Sequence, residues 1–461
     1  MGNLRPVLIM GLLFLGYMMW IEWQKDYGPV PVPPAETSTS AEVVPDVPDF
    51  NQETADSTVD LPSAPQDATG PVAGTTAQDA DPARNLVTVT TDVLEIKIDP
   101  VGGTIASAVL LDYPVDHDTP DVKVDLLRGG GNRLFIAQSG LLSRQQAPNH
   151  TSEYRAEARE YALSQGDQAL SVPLHWTSDD GVKVTKTFTF QPGSYQVGVE
   201  HSVENGGSTA WSGSRYEQLQ KSVPGDEDSG GFTNPGSYSF VGIGFYNPED
   251  KFEKIDFDDV ADDPYKKTSR NGWLAMIQHY FFSAWIPGAE EEVTYSTQAI
   301  EGNGWPRYIA RGVSAAKTVQ PGEQAAFAST LYVGPKLQDD LPEIADGLEY
   351  VVNYGIFTVF SKPLYWLLAK IHSVVGNWGW AIVILTILIK LAFFKLTEAQ
   401  YRSTARMRKL QPRIEQLKER YGDDRQRMSQ AMMEMYKKEK VNPLGGCLPI
   451  LVQIPIFIAL Y

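Results

Sequence analysis

The sequence predicts a polytopic α-helical membrane protein with a large periplasmic antiparallel β-sandwich domain and a cytoplasmic antiparallel helical hairpin. Three observations predict it. Apolar runs suited to a bilayer occur near the N-terminus, around Leu385 and at the C-terminus. Between the first two, apolar residues alternate with period two from Asn85 to Leu337, the signature of half-buried strands. Basic charge is concentrated between the second and third runs: Lys395 to Val441 holds 13 Lys and Arg against 7 Asp and Glu, in a chain whose net charge is −18. The positive-inside rule puts that segment in the cytoplasm. The acidic sandwich then faces the other side, which in a Gram-negative bacterium is the periplasm, with the helices in the inner membrane.

Residues 1–28 form the first element. Arg5 precedes an apolar run from Val7 to Ile21, and Trp20 and Trp23 close it. No small residues suit a cleavage site in MMWIEWQKDYG, so the run reads as an uncleaved transmembrane anchor with its N-terminus in the cytoplasm. Residues 29–84 are rich in Pro, Ala, Ser, Thr and Asp. Such a segment buries too little apolar surface to offset its ordering entropy and is expected to be a disordered periplasmic tether.

Residues 85–337 carry the sandwich. In VTVTTDVLEIKIDP the apolar positions are Val87, Val89, Leu94, Ile96 and Ile98, and GVKVTKTFTFQPGSYQVGVEHSVENG reads as two alternating runs around the turn Gln191–Ser194. The block WLAMIQHYFFSAWIP, Trp273 to Pro287, is ambiguous. Its length of about 15 residues and its Gln278 and His279 favour a buried strand or short core helix over a membrane span.

This domain shows no catalytic pattern. Histidines are scattered, and no H-x-x-x-H, C-x-x-C, G-x-S-x-G or phosphate-loop motif occurs. GGGN at Gly129–Asn132 reads as a turn. The pair Asp262-Asp263 has the residue type of glycoside chemistry, but in a chain of pI about 4.8 exposed carboxylates are ordinarily solvated surface. No catalytic residue, metal site or cofactor is expected. The single cysteine, Cys447, excludes an internal disulfide, and the acidity excludes specific DNA binding by the chain as a whole.

Residues 338–373 return to a helical period. In YGIFTVFSKPLYWLLAKIHSVVGNWGW, Leu364, Leu367, Leu368 and Ile371 share a face flanked by Lys362, Lys370 and His372, and Pro363 suits a first helical turn. A helix lying in the membrane interface fits, as does one capping the sandwich. Residues 374–394 are the second transmembrane helix, and Lys390 sits inside it. An exposed lysine there costs on the order of 2.5–3.5 kcal/mol unless it snorkels. Thr386 lies one turn earlier on the same face. With Gln453 of the third span, these residues could instead wet an inward-facing groove.

Residues 395–441 are the cytoplasmic hairpin. Met407, Leu410, Ile414, Leu417 and Tyr421 form one seam, Gly422-Asp423-Asp424 interrupts, and Met428, Met432 and Met435 resume it. Met433 lies off the seam, and the methionines suit either a core or an adaptable docking face. Pro412 should bend or weaken the first helix. Arg402, Arg406, Arg408, Arg425 and Arg427 make a basic face that suits ribosomal RNA or simply obeys topology. Residues 442–461 are the third transmembrane helix, which the sequence is expected to leave truncated.

The segments YGIFTVFSKPLYWLLAKIHSVVGNWG, LTEAQYRSTARMRKLQPRIEQLKERYGDDRQRMSQ and, most specifically, VNPLGGCLPILVQIPIF resemble the YidC/Oxa/Alb family of membrane protein insertases. The resemblance runs from the N-terminal anchor to the third span. It implies an insertase and chaperone acting alone or with the Sec translocon, on nascent membrane proteins as substrates and with membrane lipids as surroundings. It also implies a hairpin that receives ribosomes or targeting factors, a sandwich that contacts Sec partners, and five core spans of which three are expected to be missing here. The family typically has an arginine where this chain has Lys390, so charge is kept and the bidentate fork is lost.

The resemblance implies no enzyme and no nucleotide, and lateral partitioning of the substrate's apolar helix into lipid supplies the driving force. A secondary transporter would also carry an intramembrane charge but should show inverted repeats. A membrane-tethered periplasmic carbohydrate-processing enzyme would explain the sandwich but not the hairpin or Lys390.

Overall fold

The computed structural model describes residues 85–130, 133–223, 240–300, 305–354, 358–422, 425–438 and 448–460. The expected anchor at 1–28 and tether at 29–84 lie outside the described residues. The described chain forms two compact units, divided in sequence between Val352 and Asn353.

The first unit is a β-sandwich, and alternation builds it. In the strand Val182–Phe190, Val182, Val184, Lys186, Phe188 and Phe190 are buried while the residues between them keep solvent contact. The strand Gln196–Asn205 returns beside it with Val197 opposite Phe190. The intervening turn places Gly193 at φ 66°, a left-handed conformation that glycine adopts without a Cβ clash.

Among the described residues the strands form an eleven-stranded and a nine-stranded sheet. The first has Phe135–Ser143, Trp211–Ser222 and Arg307–Ser314 side by side, all antiparallel. The second pairs Phe281–Pro287 with Gln324–Pro335, and that strand in turn with Gln196–Asn205. The ambiguous block at 273–287 is a tight hairpin: Trp273–Ile277 and Phe281–Pro287 pair with Leu274 opposite Trp285. All five residues of WLAMI are buried, so no alternation could show in that strand. Trp273, Trp285, Phe188 and Leu331 belong to one large apolar cluster, where full burial of each such side chain stabilises by about 1.5–3 kcal/mol.

The sheet edges are short. The eleven-stranded sheet ends on Lys266–Arg270 and on the three-residue strand Glu160–Ala162. The nine-stranded sheet ends on Lys251–Ile255 and on the two-residue strand Arg155–Ala156. Along Lys266–Arg270, Lys267 is paired with Asp250 at 2.6 Å and Arg270 with Glu292 at 3.3 Å.

Two charges sit where the alternation calls for apolar residues. Lys186 Nζ donates to the carbonyls of Gly102 and Gly103 at 2.9 Å and of Ser139 at 3.0 Å. Three donors thus meet three acceptors, and they tie a strand of one sheet to the other sheet. Burial pushes the Lys186 pKa down to about 7. Arg215 forms ion pairs with Glu217 at 2.5 Å and Glu291 at 2.8 Å, and it donates to the Ala328 carbonyl at 2.8 Å. Burial holds the Glu217 carboxyl above its ordinary range even with Arg215 beside it.

The region expected as one segment at 338–373 divides. Helix α1, Leu341–Ile344, and the 3-10 turn Leu348–Val351 bury Leu341, Leu348 and Val351 in the sandwich core. The sandwich unit therefore runs to Val352, past the expected limit at Leu337. The second unit is helical: α2 (Thr358–Val375), α3 (Trp378–Ala392), α4 (Phe394–Tyr421), α5 (Arg425–Lys438) and α6 (Leu448–Leu460).

Candidate functional site

The helical unit carries the groove and hairpin residues expected from the sequence. Helix α2 half-buries Leu364, Leu367, Leu368 and Ile371 and leaves Lys362 and Lys370 exposed, the amphipathic pattern expected. Pro363, expected in a first turn, lies inside the helix instead, where its ring removes one backbone bond. The helix stops at Gly376, which sits at φ 70° and donates its N–H to the His372 carbonyl at 2.7 Å. Asn377 then caps α3 by accepting the Trp380 N–H at 3.1 Å. Across this elbow the His372 ring stacks on Trp378 at 3.8 Å and 7°.

Helix α3 packs against α2 and buries Ala381, Leu385 and Ile389, spaced by one turn each. Its other face exposes Ile382, Val383, Ile387, Leu388 and Leu391. The fifteen residues of α3 span about 22 Å, less than the roughly 30 Å of a hydrocarbon layer. No single described helix is long and apolar enough to cross a membrane; α3 and α4 together are, but they are bent by 59° at their junction.

Lys390 stands one turn before that bend, exposed and without a hydrogen bond or ion pair among the described residues. Thr386 shares its stripe, and its hydroxyl donates to the Ile382 carbonyl at 2.8 Å. That back-bond uses the only hydroxyl proton and leaves an acceptor lone pair free. An unpaired ammonium so close to the end of an apolar helix can reach an aqueous interface by extending its stem.

Helices α4 and α5 pack together. Leu410 is buried, and Met407, Ile414, Leu417, Tyr421, Met428, Met432 and Met435 are half-buried, while Met433 is exposed. Two helices with this seam bury one apolar stripe between them and turn their charge outward. Arg402, Arg406, Arg408 and Arg427 are exposed, and Arg402 is paired with Glu398 at 2.6 Å. The Arg425 side chain, Asp423, Asp424 and Cys447 lie outside the described residues.

Gln453 is carried by α6, which packs on α2 and α4. Its Nε2 donates to Thr397 Oγ1 in the first turn of α4 at 3.3 Å. The structure therefore places Thr386 and Lys390 together on α3, and it joins Gln453 to Thr397 instead. No sequence pattern pointed to Thr397. A second link fixes the other end of α6, where the buried Ser361 of α2 donates to the Ala459 carbonyl at 3.1 Å.

Among the described residues no cluster of His, Cys, Asp and Glu could hold a metal ion. Asp262 and Asp263 are both exposed. A polar depression of about 300 Å³ on the nine-stranded sheet is lined by His175, Lys183, Thr185, Ser202, Glu204 and Gln324, among others. There His175 Nε2 hydrogen-bonds Glu157 at 3.1 Å and Lys183 pairs with Glu204 at 3.8 Å.

A family model described as the YidC periplasmic domain matches residues 86–367, and one described as the 60Kd inner membrane protein matches residues 370–461. The membrane protein insertase YidC of Thioalkalivibrio sulfidiphilus is 44% identical over 472 residues, a match covering 100% of this chain and 81% of that protein. That of Methylococcus capsulatus is 45% identical over 465 residues, with the same shares covered. Among solved structures, a galactose mutarotase-like protein from Lactobacillus casei aligns with a TM-score of 0.37 and 11% identity, over 54% of this chain and 99% of that one.

Proposed function

The chain belongs to the YidC family of membrane protein insertases, and from that premise we propose that it moves segments of nascent membrane proteins from the cytoplasm into the bilayer by electrostatic capture at Lys390. The observation that carries this reading is the placement of Lys390. It is a cation without a partner among the described residues, on an apolar helix, one turn from the bend into the basic α4. A polar segment arriving at that point finds a positive charge, with the hydroxyl of Thr386 beside it. The apolar helix of the substrate then partitions laterally into lipid, a transfer that is favourable without a nucleotide.

On this reading Lys395–Val441 is cytoplasmic and residues 85–352 are periplasmic, as the charge asymmetry requires. The exposed arginines of α4 and α5, Arg402, Arg406, Arg408 and Arg427, together with Arg425, form a receiving surface for ribosomes or targeting factors. The sandwich serves as a binding module toward the Sec translocon and carries no chemistry of its own. Its relatives are named as insertases rather than as enzymes.

The experiment is insertion of a short translated single-span substrate into vesicles holding the full chain. One version of the substrate carries acidic residues in its translocated tail and another carries serines. Lys390→Arg is expected to insert both, Lys390→Glu to fail on the acidic tail alone, and Lys390→Ala to fall between. Equal insertion of both tails by all three variants would leave Lys390 a mere snorkelling residue and overturn electrostatic capture.

A further inference from the structure

The break between α3 and α4 falls at Phe393, whose backbone sits at φ −90°, ψ 3°. Backbone bonds continue through the junction: the Phe393 N–H donates to the Ile389 carbonyl at 3.1 Å on the α3 side, and side-chain bonds are added on the α4 side. The Phe393 carbonyl accepts twice from one residue, Thr397, whose backbone N–H lies at 2.9 Å and whose Oγ1 lies at 3.0 Å. The hydroxyl has one proton and spends it on that carbonyl, so its remaining capacity is as an acceptor. Gln453 Nε2 fills it at 3.3 Å from α6. The result is a directed chain: Gln453 amide to Thr397 hydroxyl to Phe393 carbonyl, running from α6 into the bend.

Two features make this chain more than a contact. Gln453 is the only polar residue between Leu448 and Leu460 of α6, in LPILVQIPIFIAL, and a carboxamide in an apolar helix costs free energy unless it is hydrogen-bonded. Among the described residues its side chain bonds to Thr397, whose own hydroxyl bonds to the carbonyl at the bend. Ser361 and the Ala459 carbonyl hold α6 to α2 at the other end, so α6 is a fixed post against which the bend is set.

We infer that Thr397 and Gln453 are a positioning pair that sets the angle at which the basic helix α4 leaves the apolar helix α3. The pair acts on the direction of the receiving surface and not on substrate charge, which separates it from the reading of Lys390 above. Lys409 lies 16 residues beyond Phe393 along α4, roughly 24 Å, so each 10° of change in the bend moves it by about 4 Å.

The test uses the full chain with Cys447→Ala and spin labels at Ile382→Cys on α3 and Lys409→Cys on α4, both exposed. The interspin distance distribution is then measured. Thr397→Val removes the hydroxyl at nearly constant shape, and Gln453→Leu removes the donor. Each is expected to shift or broaden the distribution by several ångströms, and the double variant to do no more than either alone. Thr397→Ser, which keeps the hydroxyl, is expected to retain the parent distribution.

An unchanged distribution in Thr397→Val would overturn the pair, and so would additive shifts in the double variant. Gln453→Leu that impairs insertion of polar-tailed substrates at an unchanged distance would assign Gln453 to wetting of a groove, and that outcome also overturns the inference. Failure of electrostatic capture at Lys390 would leave the distance result untouched, because the two experiments read different quantities.

Discussion

Arg215→Met is the most informative perturbation of the sandwich. The side chains of Arg215 and Glu217 are 1% and 2% exposed, so the substitution leaves a carboxylate in the core with no counter-charge within its first neighbours. Stripping one partner from such a pair costs about 3–5 kcal/mol. Glu291 suffers less, because Lys317 stands 3.8 Å away and solvent reaches it.

The cost is capped by protonation, and this gives the prediction a pH signature. The ordinary value for the Glu217 carboxyl is 4.5, burial already raises it in the native chain, and loss of Arg215 raises it further. A folded-state value above the unfolded one means that stability is fully present below about 4.5 and is lost as pH rises toward the folded value, at up to about 1.4 kcal/mol per pH unit. Pulse proteolysis of the intact chain in detergent, at pH 5 and at pH 8 across a denaturant series, measures this. The expected result is a loss of about 3–5 kcal/mol at pH 8 that shrinks by more than half at pH 5, and recovery of most of it in Arg215→Met/Glu217→Gln. A loss of equal size at both pH values, or no recovery in the double variant, would refute the reasoning.

Three further outcomes follow from single contacts. Lys186 releases its proton near pH 7 when folded but only near 10.5 when unfolded, so the unfolded chain binds more protons between those values and sandwich stability should rise with pH across that window; Lys186→Met should flatten the rise in the same proteolysis assay. Leu410→Ala removes the buried residue of the α4–α5 seam and should cost about 2 kcal/mol, read as roughly thirtyfold faster amide exchange in α5; unchanged exchange would mean the seam is not holding the pair. Asn377→Ala removes the cap of α3 and should cost about 1 kcal/mol, seen as faster exchange at the Trp380 amide, whereas Asn377→Asp should keep the protection.

The sandwich was legible because alternation is a local signal: Val182, Val184, Phe188 and Phe190 announce which face is inside. The same phase also carried a message that apolar counting passed over. Lys186 occupies the inward position between Val184 and Phe188, and His201 occupies the inward position between Val199 and Val203. Lys186 is the one of the two that ties the sheets together, and a lysine in phase with a core pattern could have been named from the sequence.

At Trp273–Pro287 burial was legible but strand could not be told from helix, because a strand buried on both faces has no period to read. The seam of α4 and α5 was read residue by residue, since spacing alone defines it. Thr397 was invisible for the opposite reason. Its role depends on where α6 lies against the α3–α4 bend, and nothing in the text TEAQ around it differs from any helical surface. The bend itself has no proline or glycine at Phe393 to announce it.

The charges along one sheet edge have a consequence for the company this chain keeps. An open strand edge is a template for pairing with another chain. The strand Arg155–Ala156 covers only His175 and Leu174 of its eight-residue neighbour Leu170–Thr177, whereas on Lys266–Arg270 any added strand would have to displace matched charges at Lys267 and Arg270. Charge therefore guards the Lys266–Arg270 edge, where a strand from another chain could add only by breaking two existing ion pairs.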